Sequence, residues 1–370
     1  MNPQNAPAAP ESPSVRPLDP ARSPRIEDRY HSIEKESLRE FKPLRAMLEL
    51  TYRCNFRCRM CYLVDFRSPG ELSLDEWKGV LDQLADLGVM VLTLSGGEPL
   101  LRKDFFEIAE YARSKRFALR IFTNGTMIDR TTADRLAEIR PLSTEVSVYG
   151  ASDETYRDVT VRSRDGERER VFSAIRMLRE RDLPVQIKMP VIRQNRADVD
   201  RIHAFAEEVG AVFVANVNIT PKDDGDLSPL AHALDDAALE EYYRSYVGRR
   251  PPQELDPEGL MCNTGRNSLV ISPLGDVFPC IQIKQSVGNV RERSVEEIWR
   301  AHPLLARLRS LRVKDYAACP PAPADAKSGC GTQAGCGAQC AGIAHATTGS
   351  FTARDPLADR LARIRARAHR

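Results

Sequence analysis

Short apolar segments alternate with amphipathic segments from residue 46 to residue 219, and this alternation strongly constrains the fold. The apolar segments have the length of strands and cover residues 46–50, 91–94, 119–123, 145–149, 185–191 and 212–219. In the first amphipathic segment, Ser73 and Glu76 form a capping-box pattern, and Trp77, Val80 and Leu84 fall on one helical face. Similar patterns cover residues 105–114, 132–139, 168–181 and 198–209. Strands that alternate with helices predict a parallel sheet, because parallel strands need crossover connections.

Six such units predict an α/β fold, namely a partial (β/α)6 TIM-like barrel rather than a complete eight-fold barrel. Chemistry in barrel-like folds gathers on the loops at the carboxyl ends of the strands. After residue 220 the alternation ends, and residues 235–248 predict one more helix. We expect a Pro- and Ala-rich disordered tail over 1–40, the barrel over 41–225, a helical linker over 226–257, a Cys-rich domain over 258–350 and a basic tail over 351–370.

The composition excludes several function classes. Hydrophobic residues make up 42% and charged residues 29% of the chain, which is ordinary for a globular protein. The formal charge of +2 gives no basis for a nucleic-acid partner, and no apolar run is long enough to span a membrane. We therefore expect neither nucleic acid nor membrane among the partners.

The nine cysteines occur in two groups. Three lie between residues 54 and 61, six lie between residues 262 and 340, and none lies between the groups. In a reducing compartment such grouping indicates metal or redox chemistry rather than disulfides. Because the amino terminus also lacks an apolar secretory signal, we expect a cytoplasmic location.

The first cysteine group has the spacing of a metal-binding loop. Three residues separate Cys54 from Cys58, and two separate Cys58 from Cys61. This spacing lets one loop wrap thiolates around a 4Fe–4S cluster, with one iron left open for a cofactor or substrate. Zinc is the alternative, since short cysteine spacings also hold structural zinc. A zinc site needs a fourth protein ligand, and no Cys or His lies between Cys61 and His203.

The cysteine loop, together with the sequence Ser-Gly-Gly-Glu-Pro that follows the second predicted strand, resembles the radical S-adenosylmethionine (SAM) superfamily. The resemblance implies that the reduced cluster cleaves SAM to a 5′-deoxyadenosyl radical, which abstracts a hydrogen atom from the substrate. Two glycines let a backbone approach a ligand closely, and a carboxylate accepts charge-assisted hydrogen bonds from an ammonium. The residues implied to bind the amino group of SAM are Gly96, Gly97, Glu98 and Pro99.

Three further positions match the superfamily less specifically. The resemblance implies that Asn124, after the third strand, and Ser147, in the fourth, approach the ribose and carboxylate of SAM. Asn124 is followed by Gly125, and Asn-Gly after a strand is equally typical of an ordinary turn. Met60 stands where the family commonly has an aromatic residue, and its thioether can pack against adenine.

The second cysteine group resembles the SPASM extension of radical SAM enzymes, which binds auxiliary iron–sulfur clusters. Residues 269–280 predict a β-hairpin with its turn at 273–276 and a cysteine at each base. The resemblance implies one cluster that shares Cys262, Cys280 and Cys340, and a second that uses Cys330 and Cys336. Cys319 can complete either set.

The ligation of this extension departs from the family pattern. Lys327 stands where the family usually has another cysteine, and no cysteine follows Cys340. In one arrangement, two clusters have three thiolates each and either keep an open iron or use Asp325, His345 or Asp355 as a fourth ligand. In the other, one cluster takes four thiolates and two thiols remain free. A zinc ribbon is the remaining alternative. We expect one or two auxiliary clusters, and we favour two.

The resemblance implies modification of a ribosomally made peptide by crosslinking, epimerisation or a related maturation. Tyr149 replaces the family's usual Asp, so the acid–base role of any one family member does not transfer. The expected partners are a peptide substrate, a flavodoxin- or ferredoxin-like reductant and a separate leader-peptide-binding protein. An enzyme of tetrapyrrole or other cofactor biosynthesis is the first alternative, and a non-catalytic iron–sulfur electron carrier is the second.

Overall fold

A computed structural model describes residues 26–67, 69–246, 256–316 and 340–353, with residues 360, 361, 363, 364, 367 and 368. Within these residues nine strands form one sheet in the order β6-β5-β4-β3-β2-β1-β7-β8-β9. The strands are β1 Arg45–Glu49, β2 Val91–Ser95, β3 Ala118–Thr123, β4 Ser143–Ser147, β5 Val185–Pro190, β6 Val212–Asn216, β7 Ser268–Ile271, β8 Asp276–Phe278 and β9 Gly288–Asn289. Strands β1 to β6 pair in parallel with their sequence neighbours. The predicted partial barrel of α/β type is thereby confirmed.

Helices connect the strands and cover the sheet. In the described part of the chain they are α1 Ile26–Glu40, α2 Leu74–Asp86, α3 Phe105–Ser114, α4 Arg130–Ile139, α5 Asp153–Thr160, α6 Glu167–Arg179, α7 Val199–Glu208, α8 Asp236–Tyr246, α9 Val295–Ala301, α10 Pro303–Ser310 and α11 Ala341–Thr348. The capping box predicted from Ser73 and Glu76 is formed at the start of α2, and Trp77, Val80 and Leu84 are buried as expected. Helix α5 follows β4 directly and was not predicted, because its eight residues carry too short an apolar pattern.

The predicted hairpin of the Cys-rich segment is formed by β7 and β8, and it extends the barrel's own sheet. Strand β7 pairs in parallel with β1, with Leu269 opposite Ala46, and β8 returns antiparallel to β7. The turn has Gly275 at φ +91°, a conformation that side chains rarely adopt. Leu72, at the end of the first cysteine loop, donates its N–H to the carbonyl of Pro273 at 2.7 Å. The two cysteine-bearing segments therefore lie on adjacent parts of one sheet.

The expected disordered tail over residues 1–40 is wrong for its last fifteen residues, which form α1. The helix packs on the start of β1, where the Arg45 guanidinium donates to the Glu34 carboxylate at 2.7 Å. Ser37 is buried, and its hydroxyl accepts from the Asn267 amide at 3.4 Å. These polar contacts to the barrel substitute for the apolar burial that the segment's composition lacks. Residues 1–25 lie outside the described part.

Buried apolar side chains of the sheet and its helices form one large core, in which Leu48, Leu92 and Ile121 have no exposed surface. None of the helices in the described residues has the length and apolar character to cross a membrane.

Candidate functional site

The first cysteine group lies on the loop between β1 and α2, and a buried arginine fixes both ends of that loop. The Arg102 guanidinium donates to the carbonyl of Leu50 and to the carbonyl of Leu72, each at 2.9 Å. Asp104 pairs with the same guanidinium at 2.7 Å. Arg102 is only 7% exposed, so these charge-assisted bonds form away from water. These bonds fix the distance between the two ends of the loop that carries the three cysteines.

The structure brings the three thiols of this loop together. Burial raises the pKa of Cys58 well above its usual range, and the Cys61 and Cys54 thiolates raise it further by repulsion. Burial likewise raises the pKa of Cys54 to about 11, with Cys61 among the smaller causes. The Cys61 N–H donates to the Cys58 carbonyl at 3.0 Å, which closes the turn between them. A metal centre bound by these thiols would supply the positive charge that stabilises their thiolate forms.

This donor set fits an iron–sulfur cubane. Within the described ranges, no three Cys, His, Asp or Glu side chains are arranged as ligands of a single metal ion. The ligands of a cubane bind different irons, so they need not converge on one point.

The two glycines after β2 allow close packing against the cysteine loop. The Gly97 N–H donates to the carbonyl of Thr51 at 2.6 Å, and the Glu98 N–H donates to the carbonyl of Arg53 at 2.9 Å. A Cβ at Gly96 would lie 2.3 Å from the Thr51 oxygen, and one at Gly97 would lie 2.5 Å from the Arg53 oxygen. The glycines therefore fix the backbone directly before Cys54, a role that we did not anticipate from the sequence.

Glu98 is fully buried and joins the ends of β2 and β3. Its carboxylate accepts from the Asn124 N–H at 2.6 Å, the Thr123 hydroxyl at 2.8 Å and the Leu100 N–H at 3.2 Å. Burial raises the pKa of Glu98 to about 7, although these bonds oppose the shift. Because these three donors are neutral and a carboxylate has about four acceptor sites, the Glu98 carboxylate can still accept a hydrogen bond from a cation. Pro99 begins the short 3₁₀ helix that follows it.

Asn124 links this carboxylate to the cysteine loop. Its amide donates to the Asn55 side chain at 2.8 Å and lies 3.9 Å from the Cys54 sulfur. The Asn124 oxygen accepts from the Thr126 hydroxyl at 2.6 Å. The Asn-Gly sequence thus forms a turn and also places a polar side chain beside Cys54.

Ser147 contacts the cysteine loop through Tyr149, and Met60 belongs to the loop itself. Ser147, the last residue of β4, hydrogen-bonds to the Tyr149 hydroxyl, and that hydroxyl in turn bonds to the Cys58 thiol. Met60 packs against a small buried cluster of Val159, Ile192 and Ile219. Ile192 and Ile219 follow β5 and β6, so the thioether is placed among apolar side chains at the carboxyl ends of two strands.

The structure also brings together three cysteines of the second group. Burial raises the pKa of Cys340 to about 12, and Cys280 and Cys262 contribute by repulsion. The Cys262 thiol donates to the Thr264 hydroxyl at 3.3 Å, and Thr264 also bonds to Cys280. These are the three that the resemblance assigned to one cluster. Cys319, Cys330 and Cys336 lie outside the described residues, as do the alternative ligands Asp325 and Asp355.

A buried ion network connects the two cysteine groups. Glu49, at the end of β1, accepts from the Tyr62 hydroxyl at 2.7 Å and from the Lys284 ammonium at 3.1 Å. Lys284 also pairs with Asp223 at 3.4 Å. Burial raises the pKa of Asp223 to about 6, and Lys284 opposes the shift. Tyr62 directly follows Cys61, and Lys284 lies four residues after Cys280. No local spacing in the sequence predicts that these two segments meet.

A cavity of about 480 Å³ opens beside this network. Tyr62, Asp223, Lys284 and His345 contribute to its walls, together with the segment 281–285 and helix α11. Its volume is in the range of small-molecule and cofactor sites. The cavity thus lies between the two cysteine groups.

The barrel and the Cys-rich segment each match a known family. Residues 48–206 match the Radical SAM superfamily, and residues 262–323 match the SPASM iron–sulfur cluster-binding domain. The chain is 30% identical to the AdoMet-dependent heme synthase of Methanosarcina barkeri, over 83% of this chain and 94% of that protein. It is also 30% identical to the PqqA peptide cyclase of Bradyrhizobium diazoefficiens, over 72% of this chain and 75% of the cyclase.

These similarities, with the gathered thiols and the carboxylate turn after β2, define an enzyme of radical and iron–sulfur chemistry. The chain belongs to the radical SAM superfamily and carries a SPASM-type extension. Its cofactors are the SAM-binding 4Fe–4S cluster, SAM and iron–sulfur in the extension. The electron-carrier alternative is thereby set aside.

The fold is also that of a solved protein whose structure includes a precursor peptide. Streptococcus suis SuiB, bound to its precursor peptide SuiA, superposes with a TM-score of 0.61 over 76% of this chain and 72% of SuiB. The sequence identity is 17%, so this similarity is one of fold.

Replacing Gly97 with Ala should displace the cysteine loop, because the new Cβ would overlap two backbone carbonyls. We expect the iron bound after anaerobic reconstitution to fall and SAM cleavage to drop about a hundredfold. Gly79→Ala is the matched control: Gly79 lies in α2, and a Cβ there would meet no atom within 4 Å outside the helix's own backbone, so that variant should be neutral or slightly stabilised. Normal iron content and cleavage in Gly97→Ala would refute the packing role.

Proposed function

We propose that this enzyme uses SAM-derived radical chemistry to modify a ribosomally made peptide in the cavity between its two cysteine groups. Cys54, Cys58 and Cys61 hold the SAM-binding cluster and leave one iron open. When bound, the cluster and SAM together supply the 5′-deoxyadenosyl radical that removes a hydrogen atom from the substrate. The protein's own residues position the reactants and exclude water.

The residues around the loop suggest how SAM is oriented. Gly96, Gly97 and Pro99 shape the turn that aims the buried Glu98 carboxylate, which is suited to accept from the SAM ammonium. Asn124 and Ser147 offer polar groups for the ribose and carboxylate. The thioether of Met60 supplies an apolar surface for adenine.

Cys262, Cys280 and Cys340 are suited to hold one auxiliary cluster, and Cys319, Cys330 and Cys336 are proposed for a second. When bound, such a cluster would supply a one-electron acceptor near the cavity, which the closing of a crosslink by a substrate radical requires. Because thiols stay reduced there, we place this chemistry in the cytoplasm.

The charges of the cavity favour a peptide over a polycarboxylate. Both lysines that the structure describes in its walls are already paired: Lys284 with Glu49 and Asp223, and Lys222 with Asp226 at 2.6 Å. Asp223 and Asp224 add negative charge. A ligand with several carboxylates would meet acids and no free lysine among these described walls, whereas a peptide of mixed polarity meets no such penalty. This observation supports the peptide proposal most directly.

Tetrapyrrole modification is the second candidate, and one observation favours it. The match to the heme synthase of Methanosarcina barkeri covers 94% of that relative, whereas the match to the peptide cyclase covers 75%.

A direct comparison of substrates tests the proposal. The reconstituted enzyme, SAM and a chemical reductant are incubated either with short peptides encoded beside its gene or with a carboxylate-bearing iron porphyrin. We expect one peptide to stimulate 5′-deoxyadenosine formation and to change mass, for a crosslink by the loss of two hydrogen atoms. Stimulation by the tetrapyrrole alone, with a change in the mass of the tetrapyrrole, would contradict the proposal. A reductant protein and a separate leader-peptide-binding protein complete the proposed set of partners.

A further inference from the structure

A second cavity, of about 460 Å³, lies on the outer side of the first cysteine loop and is rich in arginine. Cys54 itself forms part of its wall, with Asn55, Thr126 and Met127 beside it. The charged residues that line it are Arg57, Arg162, Arg164, Arg170 and a single acid, Glu167. We call these four arginines the arginine cleft.

The arginine cleft has no carboxylate partners among the described residues. Arg57 donates to the carbonyls of Cys54 and Phe56 at 2.7 and 2.6 Å, and its guanidinium stacks over Phe66. Glu167 is buried, and its carboxylate accepts from the backbone N–H of Arg164 at 2.6 Å. Arg162, Arg164 and Arg170 are exposed.

Neighbouring arginines on the same surface are neutralised. Arg59 pairs with Asp158 at 2.6 Å, and Arg168 pairs with Asp153 at 2.8 Å. Arg157 pairs with Asp165, which lies between Arg164 and Glu167 in the sequence. Apart from the buried Glu167, the acids named here pair with arginines beside the cleft, which leaves a concentrated positive field next to Cys54.

We infer that the arginine cleft is the docking surface for a one-electron donor protein with an acidic surface. The inference rests on the proposed function, in which each turnover consumes one electron at the cluster held by Cys54. Electron transfer slows steeply with distance, so the donor has to approach the cluster's nearest exposed edge. Docking moves one electron from donor to enzyme and makes or breaks no bond.

The arginine cleft is separate from the cavity that is proposed for the substrate. The two cavities have no lining residue in common. The cavity beside Lys284 and Asp223 is separate, and it is the one that lies between the two cysteine groups.

Charge reversal at exposed positions tests the inference. The variant R162E/R170E keeps Arg57, which braces the cysteine loop. Its matched control is R116E/R140E: Arg116 and Arg140 are exposed, directly precede the β3 and β4 segments, and have no ion pair in the described part of the structure. With reconstituted holoenzyme, we measure the Kd for a purified acidic flavodoxin against ionic strength and the rate at which that flavodoxin bleaches the cluster absorbance.

We expect R162E/R170E to weaken flavodoxin binding and slow cluster reduction about tenfold at low salt, and the salt dependence to flatten. R116E/R140E should behave as wild type. Cluster reduction by methyl viologen, which is cationic and needs no acidic docking face, should not slow in either variant.

Wild-type flavodoxin kinetics in R162E/R170E would overturn the inference. So would unchanged flavodoxin kinetics with a raised KM for the modified substrate, since the cleft would then bind substrate carboxylates. Failure of viologen-driven SAM cleavage in the wild type would instead contradict the proposed function, so the two failures are distinguishable.

Discussion

Replacement of Cys58 by alanine is expected to reduce SAM cleavage to background. Cys58 lies at the centre of the gathered thiols, since its charge interacts with both Cys61 and Cys54. With one of the three cysteine ligands removed, only two irons of the cubane would be bound by the protein, so the cluster would no longer be held with a single open iron. The measurement is 5′-deoxyadenosine formed by anaerobically reconstituted protein with a chemical reductant, together with iron content and circular dichroism.

The loss should be chemical rather than structural. Cys58 lies on a loop outside the strands of the sheet, so the far-ultraviolet spectrum should match wild type. Retained turnover in a folded, reconstituted Cys58→Ala sample would rule out the cluster assignment.

Replacement of Cys280 by alanine is expected to separate two activities. The first cysteine loop lies on another part of the sheet, so SAM cleavage without product should persist within about twofold. Product formation should disappear, because the auxiliary cluster proposed for Cys262, Cys280 and Cys340 would lose a ligand. Mass spectrometry of the substrate and quantified 5′-deoxyadenosine report the two activities in one reaction.

Ser286→Ala serves as the matched control on the same segment, because Ser286 is exposed and its hydroxyl bonds only to Gly288 within the described residues. This variant should retain both activities. An unchanged product yield in Cys280→Ala would mean that the second cysteine group is not a working cluster site.

Local patterns predicted the elements that depend on local physics. Short apolar runs indicated β1 to β6, amphipathic patterns indicated most of their helices, and the Ser73 capping box marked the start of α2. The close spacing of Cys54, Cys58 and Cys61 likewise predicted a metal-binding loop, and the structure brings those thiols together because they share one short loop.

Features that join distant segments could not be predicted in this way. Lys284 and Glu49 are 235 residues apart, and only the parallel pairing of β7 with β1 brings them into contact. Helix α1 has a polar sequence, and it is held by Arg45 and Asn267 rather than by an apolar face. Gly96 and Gly97 suggested close approach to a ligand, whereas the backbone they meet is that of Thr51 and Arg53.

The central claim is a cubane held by three cysteines near the start of the barrel, with one iron open. Mössbauer spectroscopy of protein reconstituted with isotope-enriched iron, with and without SAM, tests it most directly. We predict a 4Fe–4S spectrum in which the signal of one iron changes when SAM is added, and loss of that component in Cys58→Ala. Tetrahedral zinc at this loop in oxygen-protected protein, or an iron spectrum insensitive to SAM, would contradict the account.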